Sequence, residues 1–247
     1  MFEIKIDNAK YWKSCVDSIV NLVDEGSFLI AKEGISLKAM DPSGIGMVSF
    51  FMPNKAFSKY DVDAQANIGL NLENFSKILS SARFEEQLVM KESGKKLALE
   101  FVGKSSKRRY SLPLIDVKKD IDKEPKIDFT ASVELRSDAF KEILKDVDML
   151  SSYINFRLEK DSFSVAAKGD AGDLEEEHSA SDYIKKLDVK SPANATFNLD
   201  YLSRMVSAAT ANSSIKLWLK NSDDPTKIEY EIGDAKVAYY LAPYMES

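Results

Sequence analysis

The sequence predicts an α+β protein made of two copies of one domain, each with two helices packed on antiparallel sheet. Three observations carry that reading. The stretch Asn71 to Ala82, NLENFSKILSSA, returns 127 residues later as Asn198 to Ala209, NLDYLSRMVSAA. The copies share Asn71/Asn198, Leu72/Leu199, Ser76/Ser203, Ser80/Ser207 and Ala82/Ala209, and pair Lys77 with Arg204. A spacing of half the chain is too long for a solenoid unit of roughly 20 to 50 residues, so the repeat marks a duplicated domain. Next, helical and strand periods follow one another in the same order in both halves, with helices segregated from runs of strands, the pattern of an α+β layer. Finally, Lys118 to Lys126, KKDIDKEPK, is charged, proline-containing and poor in apolar residues, which reads as an exposed linker. The expected domains are residues 1–117 and 129–247, joined by 118–128.

Each element has a local reason. Phe2 to Ile6 alternates apolar and polar residues with the period of a half-buried strand, and Asp7 or Asn8 can cap a helix running to about Asp24. Trp12, Cys15, Val16, Ile19, Val20 and Val23 form its apolar stripe, with Lys10, Lys13, Ser14, Asp17 and Asn21 on the other side. Ser27 to Lys32 and Ile35 to Ala39 read as a hairpin turned by Glu33-Gly34, where glycine supplies a positive φ. After the turn residues Asp41-Pro42-Ser43-Gly44, Ile45 to Met52 is apolar enough to be buried on both faces, or covered on one by a partner. A strand at Phe57 to Asp63, the first repeated helix, and strands near Gln87–Lys91, Lys96–Val102 and Arg108–Leu114 complete the half. In the second half the helix Ser137 to Leu150, strands Ile154–Glu159 and Ser162–Ala167, the second repeated helix, and strands Ile215–Lys220, Lys227–Ile232 and Val237–Leu241 answer them.

Composition bounds the function. With 44% hydrophobic and 30% charged residues, 10 Gly and 7 Pro among 247 residues, the chain is a folded protein. It shows no signal-peptide run and no uncharged stretch near the ~18 residues needed to span a bilayer, so an intracellular protein with no membrane partner is expected. Its single Cys15 excludes an internal disulfide framework and reads as a buried small hydrophobe. With a net charge of −6, any contact with nucleic acid must come from local charge.

Catalysis and metal binding have little footing. One histidine, His178, sits in an acidic strand with no nucleophile elbow to serve, and a lone imidazole without a cysteine pair is no zinc site. Gly103-Lys104-Ser105 lacks the upstream glycine of a phosphate loop and opens no helix. No cofactor is expected.

Charge at two strand edges is more informative. Lys107, Arg108 and Arg109 open a strand that ends the first domain's sheet and continues through Tyr110 and Leu112, whereas Leu174, Glu175, Glu176, Glu177 and His178 follow a turn in the second. Exposed edges pair with other chains unless blocked, and opposite charge favours head-to-tail pairing, which closes into a ring if the rotation allows. Two solvated charge runs with no partner are the other reading.

Leu37-Lys38-Ala39-Met40-Asp41-Pro42-Ser43, Pro113-Leu114-Ile115-Asp116-Val117 and Tyr239-Tyr240-Leu241-Ala242-Pro243 resemble the sliding clamps of the PCNA family, most closely the archaeal ones. The duplicated helix, linker and length agree over essentially the whole chain. The resemblance implies one third of a closed trimeric ring, built from this chain alone or with related subunits, that encircles duplex DNA without reading its sequence. It further implies clients: DNA polymerase, clamp loader, flap endonuclease and DNA ligase, met in the cytoplasm at the nucleoid if the source is archaeal, or in the nucleus if eukaryotic. Four helices would line the hole, making Lys10, Lys13, Lys77, Arg83, Lys141, Lys145 and Arg204 the DNA-facing cations; a solvated helix face is the alternative for each. A client peptide would meet Met40, Gly44, Ile45 and Met47, with Ile121, Pro125 and Ile127 from the linker side and Ala242, Pro243 and Tyr244 from the tail. Gly44 replaces a larger residue common in the family, and Tyr244 a basic one. The main alternative function is a non-enzymatic interaction scaffold that does not act on DNA.

Overall fold

The computed structural model describes residues 1–117, 121, 123–179, 183–211 and 213–245. Of the expected linker, Lys118, Lys119, Asp120 and Asp122 lie outside the described residues. The chain divides into two compact units, residues 1–42, 48–123 and 232–237, and residues 43–47, 124–231 and 238–247.

The first unit runs β1 (Phe2–Ile6), α1 (Ala9–Val20), β2 (Glu25–Ala31), β3 (Gly34–Met40), β4 (Gly46–Pro53), a single 3-10 turn, β5 (Lys59–Val62), β6 (Ala66–Asn71), α2 (Leu72–Leu79), β7 (Gln87–Ser93), β8 (Lys96–Val102) and β9 (Lys107–Pro113). One set of strands is ordered β5-β1-β7-β8-β9 and the other β4-β3-β2-β6. Register aligns Tyr60, Ile4, Met90, Leu99 and Tyr110 across the five-stranded sheet. Ile4, Met90 and Leu99 in that row are buried. From α1, Trp12 packs against Phe28, Phe50 and Phe57 at ring distances of 6.1, 6.2 and 6.0 Å. Phe2, Trp12, Phe28, Phe75, Met90 and Leu97 surround one small cavity of about 20 Å³, so strands of both sets and both helices share a core.

The second unit repeats the plan with β10 (Ala131–Arg136), α3 (Ser137–Asp148), β11 (Tyr153–Leu158), β12 (Phe163–Gly169), β13 (Gly172–His178), β14 (Ile184–Val189), β15 (Ala193–Asn198), α4 (Leu199–Val206), β16 (Ser214–Leu219), β17 (Thr226–Ile232) and β18 (Ala235–Leu241). Its strand orders are β13-β12-β11-β15 and β14-β10-β16-β17-β18. Phe156 anchors the core, touching Phe140 of α3, Phe163 and Phe197 at 5.8, 5.7 and 6.0 Å. Helices on antiparallel sheet are thus present in both units, but each unit builds the layer from two sets of strands rather than one.

The repeated motif has a structural reason for its first letter. Asn71 caps α2 by accepting the Asn74 N–H at 2.9 Å, and Asn198 caps α4 by accepting the Tyr201 N–H at 3.2 Å, each satisfying a backbone donor that the helix leaves without a partner. Helix α1 ends at Val20 rather than near Asp24, because the Asp24 carbonyl accepts the Leu72 N–H at 2.8 Å and the chain must be extended by Glu25. Four strands escaped the periodicity: β6, β10, β14 and β15. In β6, ANIGLN, asparagine and glycine argue against a strand, yet Gly69 is required there. A Cβ on it would lie 2.1 Å from the Ile115 carbonyl oxygen, and that residue's N–H donates to the Gly69 carbonyl at 3.0 Å. The apolar run in β4 is enclosed on both faces from Met47 to Phe50, with Phe51 40% exposed. No helix among the described residues is long and apolar enough to cross a membrane.

Two stability outcomes follow from this geometry. Gly34 has φ 150° and a Cβ there would fall 2.1 Å from the Met52 carbonyl oxygen, whereas Gly94, φ 60°, has open space around it. Gly34→Ala should therefore cost about 2–3 kcal/mol and Gly94→Ala about 1 kcal/mol, read as urea midpoints. Glu3, held by Lys91 and then Lys59 at 2.7 and 2.9 Å, has its carboxyl lowered to about 2 from 4.5. A depressed carboxylate stabilises the fold above its unfolded value and loses that contribution as pH falls through the folded one. Acid titration of Glu3→Gln should accordingly show a shallower loss of stability between pH 4.5 and about 2 than the parent chain.

Candidate nucleic-acid and protein interfaces

Within each unit the two helices lie side by side. In the first, Asp17 of α1 accepts the Ser76 hydroxyl of α2 at 2.8 Å and pairs with Lys13, so Lys13 is partly neutralised on its own helix. Lys77 keeps a loose 3.9 Å approach to Glu73 with its side chain 74% exposed. In the second unit, Lys141 donates to the carbonyls of Ser207 and Ala209 at 2.9 and 2.7 Å. It thereby satisfies the C-terminal end of α4, and burial lowers its pKa. Arg204 sits 3.0 Å from Asp200 and 4.5 Å over the Tyr201 ring. Lys10, Arg83 and Lys145 are exposed.

The residues expected to meet a client peptide differ in exposure. Met40, Ile45 and Tyr244 are 38, 41 and 40% exposed, while Met47 is buried at 2%. Gly44 takes φ 73°, a value that costs glycine nothing. Ile121 and Ile127 are half-buried and Pro125 is exposed. In the second unit the tail is fixed by two backbone bonds, Ala242 N–H to the Ile45 carbonyl at 2.9 Å and Tyr244 N–H to the Thr196 carbonyl at 2.8 Å. Pro243 between them is half-buried, and the Tyr244 ring stacks on Tyr153 at 3.9 Å.

Strands β9 and β13 each end a sheet, and register divides their residues by face. Tyr110 and Leu112 lie opposite the buried Leu99 and Leu97, with Arg108 opposite buried Phe101; Lys107 and Arg109 point the other way. On β13, Leu174, Glu176 and His178 share the face of buried Ala167, Val165 and Phe163, leaving Glu175 and Glu177 outward. The His178 Nε2 lies 3.0 Å from Glu176, and its ring stacks on Phe163 at 6.1 Å. A groove of about 160 Å³ beside them is bordered by Glu142 and Asp146 of α3. Neither α3 carboxylate could be assigned to that edge from sequence, since only the packing of α3 brings them there.

The basic run also divides by task. Arg108 Nη2 meets Glu86 at 2.6 Å and the Ser81 carbonyl at 3.0 Å, over the Phe101 ring. Burial alone would raise the Glu86 carboxyl, but the Arg83 N–H and the Arg108 guanidinium outweigh it and hold it below the ordinary value. Arg109 and Lys107 instead share the half-covered Glu100, at 2.8 and 2.7 Å. Glu86, just before β7, was not legible in the sequence because its partner Arg108 lies 22 residues away on β9. Among the described residues no group of three or more His, Cys, Asp or Glu side chains is placed to hold a metal ion.

Residues 1–124 match the family model of the proliferating cell nuclear antigen N-terminal domain, and residues 123–245 that of its C-terminal domain. The chain is 31% identical to the DNA polymerase sliding clamp of Thermofilum pendens over 100% of both chains. It is 34% identical to that of Methanococcus vannielii, covering 97% of this chain and 98% of the relative. Among solved structures, PCNA from Thermococcus kodakaraensis superposes with a TM-score of 0.93 at 25% identity, over 99% of this chain and 100% of the other. A. fulgidus PCNA bound to the C-terminal region of FEN-1 has the same fold, with a TM-score of 0.90 at 24% identity and full coverage of both chains.

The Arg108 and Arg109 geometries separate folding from surface charge. Arg108→Ala strands the 2% exposed Glu86 carboxylate, at a cost of about 3–5 kcal/mol. Arg109→Glu, at a side chain 71% exposed, should change stability by less than about 1 kcal/mol. Urea unfolding of the two variants checks both.

Proposed function

The chain belongs to the proliferating cell nuclear antigen family, whose members are non-catalytic, and on that premise we propose that it is a DNA sliding clamp: one third of a ring that encircles duplex DNA and tethers replication and repair enzymes to it. The observation that carries this reading is the complementarity of the two sheet-ending strands. Antiparallel pairing of β9 on one subunit with β13 on the next, inner faces aligned, would set Tyr110 and Leu112 on the same side as Leu174 and His178. It would set Lys107 and Arg109 beside Glu175 and Glu177. Like edges would repel, so the charge pattern favours a head-to-tail ring over a two-fold dimer. The third subunit is this chain or a related one, and residues 1–117 and 129–247 are the two clamp domains about the linker 118–128.

In such a ring the helices face the DNA. Sparse cations, several shared with acidic neighbours, suit a protein that must slide: phosphate contacts are independent of sequence, and few of them keep any position from trapping the ring. Lys10, Lys77, Arg83 and Lys145 carry most of that charge in our reading, with Lys13, Lys141 and Arg204 contributing less because their neighbours already engage them. Exposed Met40 and Ile45, with Ala242, Pro243 and Tyr244, suit the aromatic and aliphatic anchors of a client peptide. The family's clients are polymerase, clamp loader, flap endonuclease and ligase, and the archaeal source of its relatives fits a cytoplasmic, nucleoid-associated role.

Topology gives the test. Loaded by a clamp loader onto nicked circular duplex, the protein should stay with the circle through gel filtration and leave when the circle is linearised. Equal retention on both forms, or on neither, contradicts encirclement.

A further inference from the structure

On the outward face of the four-stranded sheet of the second unit, register sets Tyr153, Asn155 and Arg157 of β11 between Thr196 and Asn194 of β15 and Ala166 of β12. The small Ala166 between larger neighbours leaves a trough of about 550 Å³, bordered at one side by the Tyr153–Tyr244 stack. Asn155 donates to the Thr196 hydroxyl at 3.0 Å and fixes the trough's floor. Arg157 and Lys168 are the charged residues of this lining. Both are exposed, and Lys168 lies across from Asp173 of β13. In a chain of net charge −6, a concave surface with two cations and no acid in its lining selects an anionic ligand. Glu175 and Glu177 stand one strand beyond, opposite Ala166 and Ser164 at the sheet edge.

We propose that this trough docks an extended acidic peptide segment of a partner protein, with Arg157 and Lys168 receiving two carboxylates four residues apart. The spacing comes from the sheet. Asn155 is opposite Ala166, so two residues further along Lys168 falls beside Tyr153, four residues from Arg157, or ~13 Å at about 3.3 Å per residue. A peptide in the same extended conformation has the same rise, so acids at i and i+4 fall over the two cations. Nucleic acid fits less well: two cations neutralise few phosphates, and the facing Tyr153 and Tyr244 rings are closed on each other rather than offered to bases. The site needs neither ring closure nor DNA, so its failure and the failure of the clamp reading are separable.

The test uses the full-length chain and a short fluorescein-labelled peptide with two aspartates four residues apart and no aromatic or methionine anchor, titrated by fluorescence anisotropy. Saturable binding is expected. It should weaken about tenfold or more in Arg157→Glu/Lys168→Glu, fall likewise in the charge-neutral, trough-filling Ala166→Phe, and be unchanged in Lys55→Glu. Urea midpoints of the variants, matched to the parent, separate lost binding from lost folding. Equal binding by the double variant, equal binding of a peptide whose aspartates are adjacent, or no binding by the parent chain would overturn the proposal. So would tighter binding of an oligo(dT) strand that the double variant abolishes, since the trough would then be a nucleic-acid site.

Discussion

An unpaired sheet edge is a row of backbone donors and acceptors, and how each edge is dealt with decides what the rest of a β-rich chain can do. Here the edges receive different treatment. The edge of β6 is met by Ile115, whose N–H bonds Gly69, and that of β15 by Tyr244, whose N–H bonds Thr196. Strand β5 is only four residues long, and β14 carries Lys185 and Lys186, a usual deterrent to pairing. Strands β9 and β13, each seven residues long, end their sheets with no covering segment, and their charges are of opposite sign. One is basic and the other acidic on the outward face, so they suit each other and not themselves.

That constraint explains why the charged residues cannot be treated as a uniform coat. Arg108 is tied to a buried carboxylate inside its own unit, and Lys141 to the carbonyl end of the neighbouring helix. Such cations hold the fold in place. Arg109, Lys77 and Lys145 are exposed enough to meet another molecule. A clamp needs both kinds, since rigid edges and helices must carry a charge pattern that is itself loosely held.

Much of this was legible in the sequence because it is local or repeated. The duplicated stretch identified two related domains, and its shared asparagine proved to be the N-cap of α2 and α4. The family was legible from three short segments, and the family models matching both halves agree. What was not legible depends on partners distant in the chain. Strands β6 and β15 are short and rich in asparagine, glycine or alanine, and are strands because β2 and β11 pair with them. The period of two in β13 could have divided Glu176 from Glu175 and Glu177, but not revealed that Glu142 and Asp146 would stand beside it. The trough over Ala166 depends on a tail that begins 76 residues later and is invisible to any periodicity.

The pairing of β9 with β13 is the claim on which a ring depends, and native mass spectrometry addresses it directly. The chain, alone or mixed with a related subunit, should give a three-subunit species as its largest assembly. Arg109→Glu should shift that species toward monomer, and adding Glu175→Arg/Glu177→Arg to the same chain should restore it. A dimer as the end state, or a trimer indifferent to these charges, would contradict the account.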